Sequence, residues 1–163
     1  MRSAELIAQL GMQKHPERGY FVETYRSALS VHSRDHNGER NCSTAIYFLL
    51  DESERCTFLH RLRSDELFHL YEGGPLDVLL LPPTGPGRVV QLGTDFASGQ
   101  RPQLVIPAGT WFATELPAGV SHCLWGCTVA PGFDFADFEL AQGPELAQRF
   151  PECAARIARM SRP

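Results

Sequence analysis

The sequence predicts an all-β domain, a sandwich or small barrel with helix only at its ends. Two observations carry that expectation. Seven to nine short apolar or alternating runs follow one another, each closed by a turn containing Gly or Pro. Helix start and stop signals occur only near the two ends of the chain. The 163 residues suit one domain, 1–163, with enough length for a sizeable core.

Residues 3–10 read as a short amphipathic helix, with Ser3 as N-cap, Gly11 as the stop, and Leu6, Ile7 and Leu10 on its apolar face. The turn His15-Pro16-Glu17-Arg18-Gly19 follows. Residues 20–26 then form a strand in which strict alternation sets Phe21, Glu23 and Tyr25 on one face and Tyr20, Val22 and Thr24 on the other. Residues 27–43 are polar and turn-rich, with Asn37-Gly38 as a hairpin signal and His32 and His36 expected in solvent. The run 44–50, TAIYFLL, suits a strand buried on both faces.

Residues 57–81 hold two apolar runs joined by Gly73-Gly74-Pro75. Strands are expected again over 88–92, 104–106, 111–116 and 120–130, the last three separated by Pro-Ala-Gly turns. Two short helices close the chain, with Pro144 and Pro151 at their starts, where a missing N–H costs little.

Composition removes several function classes. A net charge of about −4 without a block of Lys or Arg argues against nucleic acid or an anionic membrane as partner. No apolar run approaches the roughly 20 residues of a membrane span, and the first residues lack the apolar core of a signal peptide. The protein is read as cytoplasmic. Five cysteines, odd in number and without C-x-x-C, point away from a disulfide framework and from structural zinc. Lys14 is the sole lysine, so Schiff-base chemistry is set aside. No phosphate-binding Gly-rich loop and no G-x-S-x-G motif is present.

The run 57–70 is unusual in its ionisable content. His60, Asp65, Glu66 and His69 are set among Leu59, Leu62, Leu67, Phe68 and Leu70. A buried charge needs a partner or shifts its pKa, so these groups are paired, solvated or lining a pocket. Alternation puts Glu66, Phe68 and Leu70 on one face and His69 on the other, so that Glu66 and His69 share a pocket only if a bulge intervenes.

The turns and motifs resemble the cupin superfamily. Glu66 followed by six residues and Gly73 fits the second half of the first cupin motif, with His60 alone in place of its paired histidines. Pro107-Ala108-Gly109-Thr110-Trp111 fits the second motif, with Phe112 where its histidine stands. HPERGYFVETYRS at 15–27, TAIYFLL at 44–50, FLHRLRSDELFH at 58–69 and GCTVAPGFDF at 126–135 are similar to the hallmarks of the small cupin 5 (DUF985) type. Arg18, Phe68 and Phe112 replace that type's Gly, Trp and Gln. ERGYFVET is also similar to a strand of the dTDP-sugar 3,5-epimerases, themselves cupins, whose catalytic histidine His60 resembles in position.

The resemblance implies a double-stranded β-helix, a jelly-roll barrel with short terminal helices, and a ligand in its mouth. On it, His60, Glu66 and His69 are the candidate catalytic residues. Arg18, Tyr20, Arg26, Tyr47, Trp111, Phe112 and His122 are the candidate substrate contacts. The expected cofactor is none, or a weakly held divalent metal on His60 and Glu66. The expected activity is an isomerase or epimerase moving a proton next to a carbonyl, on a keto-sugar or a β-substituted α-keto acid. The alternatives are a metal-dependent oxygenase or decarboxylase and a non-catalytic metabolite-binding protein. The expected partners are a small molecule and a second copy of the chain, because an open jelly roll leaves sheet edges exposed.

Overall fold

The computed structural model describes residues 2–162. The elements are α1 (Arg2–Leu10), β1 (Gln13–Lys14), β2 (Tyr20–Arg26), β3 (Ser30–Ser33), β4 (Gly38–Asn41), β5 (Thr44–Asp51), β6 (His60–Arg61), β7 (Asp65–Gly73), β8 (Leu76–Leu81), β9 (Arg88–Leu92), β10 (Gln103–Ile106), β11 (Trp111–Glu115), β12 (His122–Ala130), β13 (Glu139–Leu140), α2 (Gly143–Arg149) and α3 (Ala154–Met160). A six-stranded antiparallel sheet runs β1-β2-β5-β12-β7-β10. A five-stranded one runs β13-β6-β11-β8-β9, and β3 and β4 form a separate hairpin. This is the jelly roll with short terminal helices that the resemblance implies, within the all-β class that the turn spacing predicts.

Side chains from the inner faces of the two sheets meet in the main core, which includes Phe48, Leu50, Phe68, Leu80, Phe112 and Trp125. Two smaller cores form on the outer faces. Leu6 and Met12 pack on Leu49 and Leu124, and Leu146, Phe150 and Ile157 pack on Leu79 and Leu81. β8 is therefore covered on both sides, which explains why all six residues of LDVLLL are buried; Asp77, its one polar member, is paired with Arg156. The same expectation for 44–50 holds only in part. Phe48, Leu49 and Leu50 are buried, but Ala45 and Tyr47 are half-buried, because α1 covers only one end of β5.

Two more expectations are corrected by local geometry. The register of β2 against β5 shifts between Glu23 and Tyr25. That bulge turns Tyr25 to the outer face, opposite Ala45, and brings Arg26 to the inner face, opposite Thr44. His36 is buried rather than solvated. Its ring nitrogens lie 2.7 Å from Ser33 Oγ and 2.8 Å from Ser64 Oγ, pinning the β3–β4 hairpin to the barrel. His32 is exposed as expected.

Candidate functional site

A cavity of about 340 Å³ opens between the sheets at one end of the barrel. Its walls are largely aromatic: Phe21, Phe48, Phe68, Phe112 and Trp125 come from the strands, and Phe133, Phe135 and Phe138 from the loop after β12. Phe135 is largely exposed and marks the rim. Into this lining project Glu17, His15, His60, Glu66 and Cys127.

Glu17 reaches the cavity because of the turn that carries it. His15 N–H donates to Gly19 O and Arg18 N–H to His15 O, each at 3.0 Å. Arg18 and Gly19 both take left-handed backbone, with φ of 77° and 78°. At Gly19 a Cβ would stand 2.6 Å from Phe48 Cε1, so only glycine lets the turn sit on β5. Arg18 adopts its left-handed φ without that help, at the position where the cupin 5 type has glycine.

Glu17 Oε2 lies 3.0 Å from His60 Nε2. The other ring nitrogen, Nδ1, is 2.8 Å from Phe58 O. A carbonyl only accepts, so Nδ1 carries a proton, and the neutral ring offers Nε2 as a bare acceptor. A carboxylate facing that lone pair would be repelled. One proton therefore lies between Glu17 and His60. Burial decides where it rests: it pushes Glu17 well above the usual carboxyl range, reinforced by the nearby Glu66. Burial also holds His60 down to about 3, against the pull of the Phe58 carbonyl. Both directions favour the neutral pair, a carboxylic acid donating to an imidazole.

His15 stands beside this pair. It accepts from Glu17 N–H through Nδ1 at 3.3 Å and is held down to about 4 by burial. Glu66 lies on the inner face of β7 and is pushed up to about 7 by burial, with the Cys127 thiol pulling the other way. Among the described residues its Oε2 has no hydrogen-bond partner, and neither does Trp125 Nε1. Neither nearby arginine of the chain pairs with Glu66. Arg61 pairs with Glu139 and Arg63 points toward Asp137.

Of the expected residues, the structure brings His60, Glu66, Phe112 and Arg26 to the cavity. It leaves the others outside. His69 points to the outer face of β7, with Nδ1 3.2 Å from Gln103 and Nε2 3.5 Å from Thr128 Oγ1. The register of β7 against β12 does shift, but between Leu70 and Glu72, beyond His69, so alternation from Glu66 still sends His69 outward. His122 lies beside Glu72. Tyr20 packs under α1, and Tyr47 meets Tyr71 edge-on at 5.5 Å. Trp111 faces the helical side with Arg61 stacked on it, one residue out of phase with Phe112. Arg18 stacks on Phe58 and contacts Cys56. Glu17, His15, Phe133 and Phe138 line the cavity but are not among the expected site residues. All but Phe138 lie within HPERGYFVETYRS and GCTVAPGFDF, the first and last of the motifs that carry the resemblance.

The cupin donor set does not fit here. Both nitrogens of His60 are engaged, and Phe112, at the second-motif histidine position, packs on it with ring centroids 4.1 Å apart. Among the described residues no three His, Cys, Asp or Glu side chains group as metal ligands. His60 and Glu66 alone are too few donors for a cage.

An antiparallel jelly roll closed around a ligand-sized cavity is the class that fold and site define. The family model described as Cupin superfamily (DUF985) matches residues 4–141, and the chain belongs to that family. It is 31% identical, over 94% of its length and 83% of the relative's, to the uncharacterised protein YML079W of Saccharomyces cerevisiae. A hypothetical protein from Leishmania major superposes with a TM-score of 0.89 at 31% identity, covering 99% of both chains. Protein SO0799 from Shewanella oneidensis does so with 0.86 at 34%, covering 99% of this chain and 98% of that one. Oxalate decarboxylase from Bacillus subtilis shares the fold alone, at a TM-score of 0.54 and 12% identity, over 90% of this chain and 36% of its own. Among the described residues no helix is long and apolar enough to cross a membrane.

Proposed function

We propose that the protein is an acid–base isomerase that moves a proton at a carbon next to a carbonyl, within the barrel cavity. The observation that carries this reading is the presence of two buried carboxyl groups in one aromatic-walled cavity, held in different ways. Glu17 shares a proton with His60 at 3.0 Å, whereas Glu66 has an oxygen without a partner. A group held near 7 is half-ionised at neutral pH and suits a general base. Glu66 takes that role. Glu17 returns its own proton to the carbon while Glu66 keeps the one it removed. Exchange with solvent resets both carboxyl groups, and His60 orients Glu17 through Nε2. This reassigns the base from His60, whose imidazole is tied at both nitrogens. Water exclusion by the aromatic walls strengthens any donor that meets the developing enolate oxygen.

The test is deuterium exchange. Keto compounds incubated with the protein in heavy water are expected to exchange their α-proton, read by proton NMR. Glu66→Gln should slow exchange about 100-fold or more, as loss of a general base does, while His69→Gln should leave it within about twofold, since His69 faces away. A keto compound that binds without exchange above the buffer rate would sink the isomerase. It would favour a non-catalytic binding protein, a role the apolar lining also supports.

We also propose a cytoplasmic homodimer. All five cysteines are free thiols, which a reducing compartment maintains. Tyr25, Tyr71 and Val105 are exposed on the outer face of the six-stranded sheet, beyond the part α1 covers. Light scattering at micromolar concentration should return twice the chain mass. A single-chain mass refutes the dimer.

A further inference from the structure

The charges around the cavity select its ligand. Four carboxyl groups line it, Glu17, Glu23, Glu66 and Asp134, against one cation, Arg26. Arg26 is already committed. Its Nε and Nη2 donate to the Glu23 carboxylate at 2.9 and 2.7 Å, and its Nη1 donates to Asn41 Oδ1 at 2.8 Å and Phe133 O at 3.2 Å. The imidazoles of His15 and His60 are tied into the Glu17 turn. Among the described residues no positive group of the cavity is left to receive a carboxylate or a phosphate, and an anion here would meet Glu66 in a medium of low dielectric.

The unpartnered atoms narrow the choice further. Trp125 Nε1–H is a buried donor without a hydrogen-bond partner among the described residues, its polar neighbour being the Cys127 sulfur, a weak acceptor, and indole can only donate. A carbonyl oxygen satisfies it. A quaternary ammonium group offers no acceptor and leaves it orphaned. Glu66, more than nine-tenths buried, carries the second unpartnered atom, so the polar demand of the site is small and specific. Eight Phe and Trp rings, with Ile46, Leu62 and Val129, make the lining largely apolar.

We infer that the cavity takes an uncharged carbonyl compound with an aromatic or similarly flat apolar body, and rejects its carboxylate-bearing analogues. The carbonyl rests on the proposed function; the charge selection does not. Of the expected substrates, α-keto acids and nucleotide-linked sugars are therefore disfavoured.

Three probes of one shape decide it: phenylacetone, phenylpyruvate and phenyltrimethylammonium, titrated calorimetrically into the intact protein at pH 8. Phenylacetone is expected to bind at least about tenfold more tightly than either ion. Equal or tighter binding of phenylpyruvate or of the ammonium probe overturns the inference, and so does binding of none of the three. Glu66→Gln should narrow the gap between ketone and keto acid severalfold. A gap that survives in a folded variant overturns the assignment to Glu66. If the variant does not fold, the ranking with the unaltered protein still decides. Phenylacetone that binds in the expected order but shows no α-proton exchange leaves this inference standing and removes the isomerase. Exchange with the ranking reversed does the opposite.

Discussion

Glu66 and Glu72 lie on the same strand, β7, and the protein treats them in opposite ways. Glu66 faces the cavity, and burial pushes it up to about 7. Glu72 lies at the outer end, where its hydrogen bond to Arg2 holds it down to about 2, helped by His122. The difference is one of faces, repeated along the sheet. On the inner side desolvation shifts Glu17, Glu66, His15 and His60 toward their neutral forms, and Arg26 is paired with Glu23. On the outer side His69, His122 and Glu72 have ordinary polar neighbours and partial solvent. A carboxyl group is made chemically useful here by the face it occupies, not by its place in the sequence.

The largest expected contrast is in packing. Phe68→Ala, at a fully buried inner position between Phe112 and Trp125, should cost about 3–5 kcal/mol in urea unfolding. Tyr71→Ala, three residues on but exposed, should cost about 1 kcal/mol or less. Equal losses would show that the outer face is as firmly packed as the inner one, as it would be if a partner covered it tightly.

The next contrast is in pH. Glu66 has a folded pKa raised from 4.5 to about 7, so the folded state holds that proton more tightly than the unfolded chain does. Its contribution is fully present below pH 4.5 and is lost as pH rises toward 7. The stability of the protein relative to Glu66→Gln should therefore fall by about 3 kcal/mol between pH 4.5 and 7.5. His60 and His15 act in the reverse sense. Their folded pKa values lie below the usual 6.5, so their contribution is present above 6.5 and is lost as pH falls through about 4 and 3. Taking the difference between the two proteins cancels the histidines and leaves Glu66 together with the part of the Glu17 shift that Glu66 causes. A flat difference curve would place Glu66 in contact with water.

The smallest contrast concerns the outer glutamate. Arg2→Gln removes the partner of Glu72, a pair open to solvent. The urea midpoint at pH 7 should stay within error, and what small change occurs should vanish in 1 M salt. A clear loss of stability would mean that α1 is held to the barrel by this pair rather than by Leu6 and Met12.

Much of the fold follows from the sequence because it is written in local terms. The apolar runs, the Gly and Pro turns and the end helices each depend on a few neighbouring residues. The period of two on β7 separates Glu66 from His69 without any knowledge of the third dimension. What stayed hidden depends on distant partners or on a single step of phase. Glu17 meets His60 across 43 positions of sequence, brought there by two consecutive left-handed residues. Trp111 and Phe112 are adjacent and equally apolar, and the choice of which faces the cavity rests on the pairing of β11 with β6 and β8. One bulge in β2 exchanges Tyr25 for Arg26, and the neighbouring Glu23 then takes up the arginine's donors. The sequence by itself determined the strands, their turns and the alternation along each. Only the tertiary structure decided which face is inward and which charges meet, because burial and pairing are properties of neighbours that the chain brings together only when it folds.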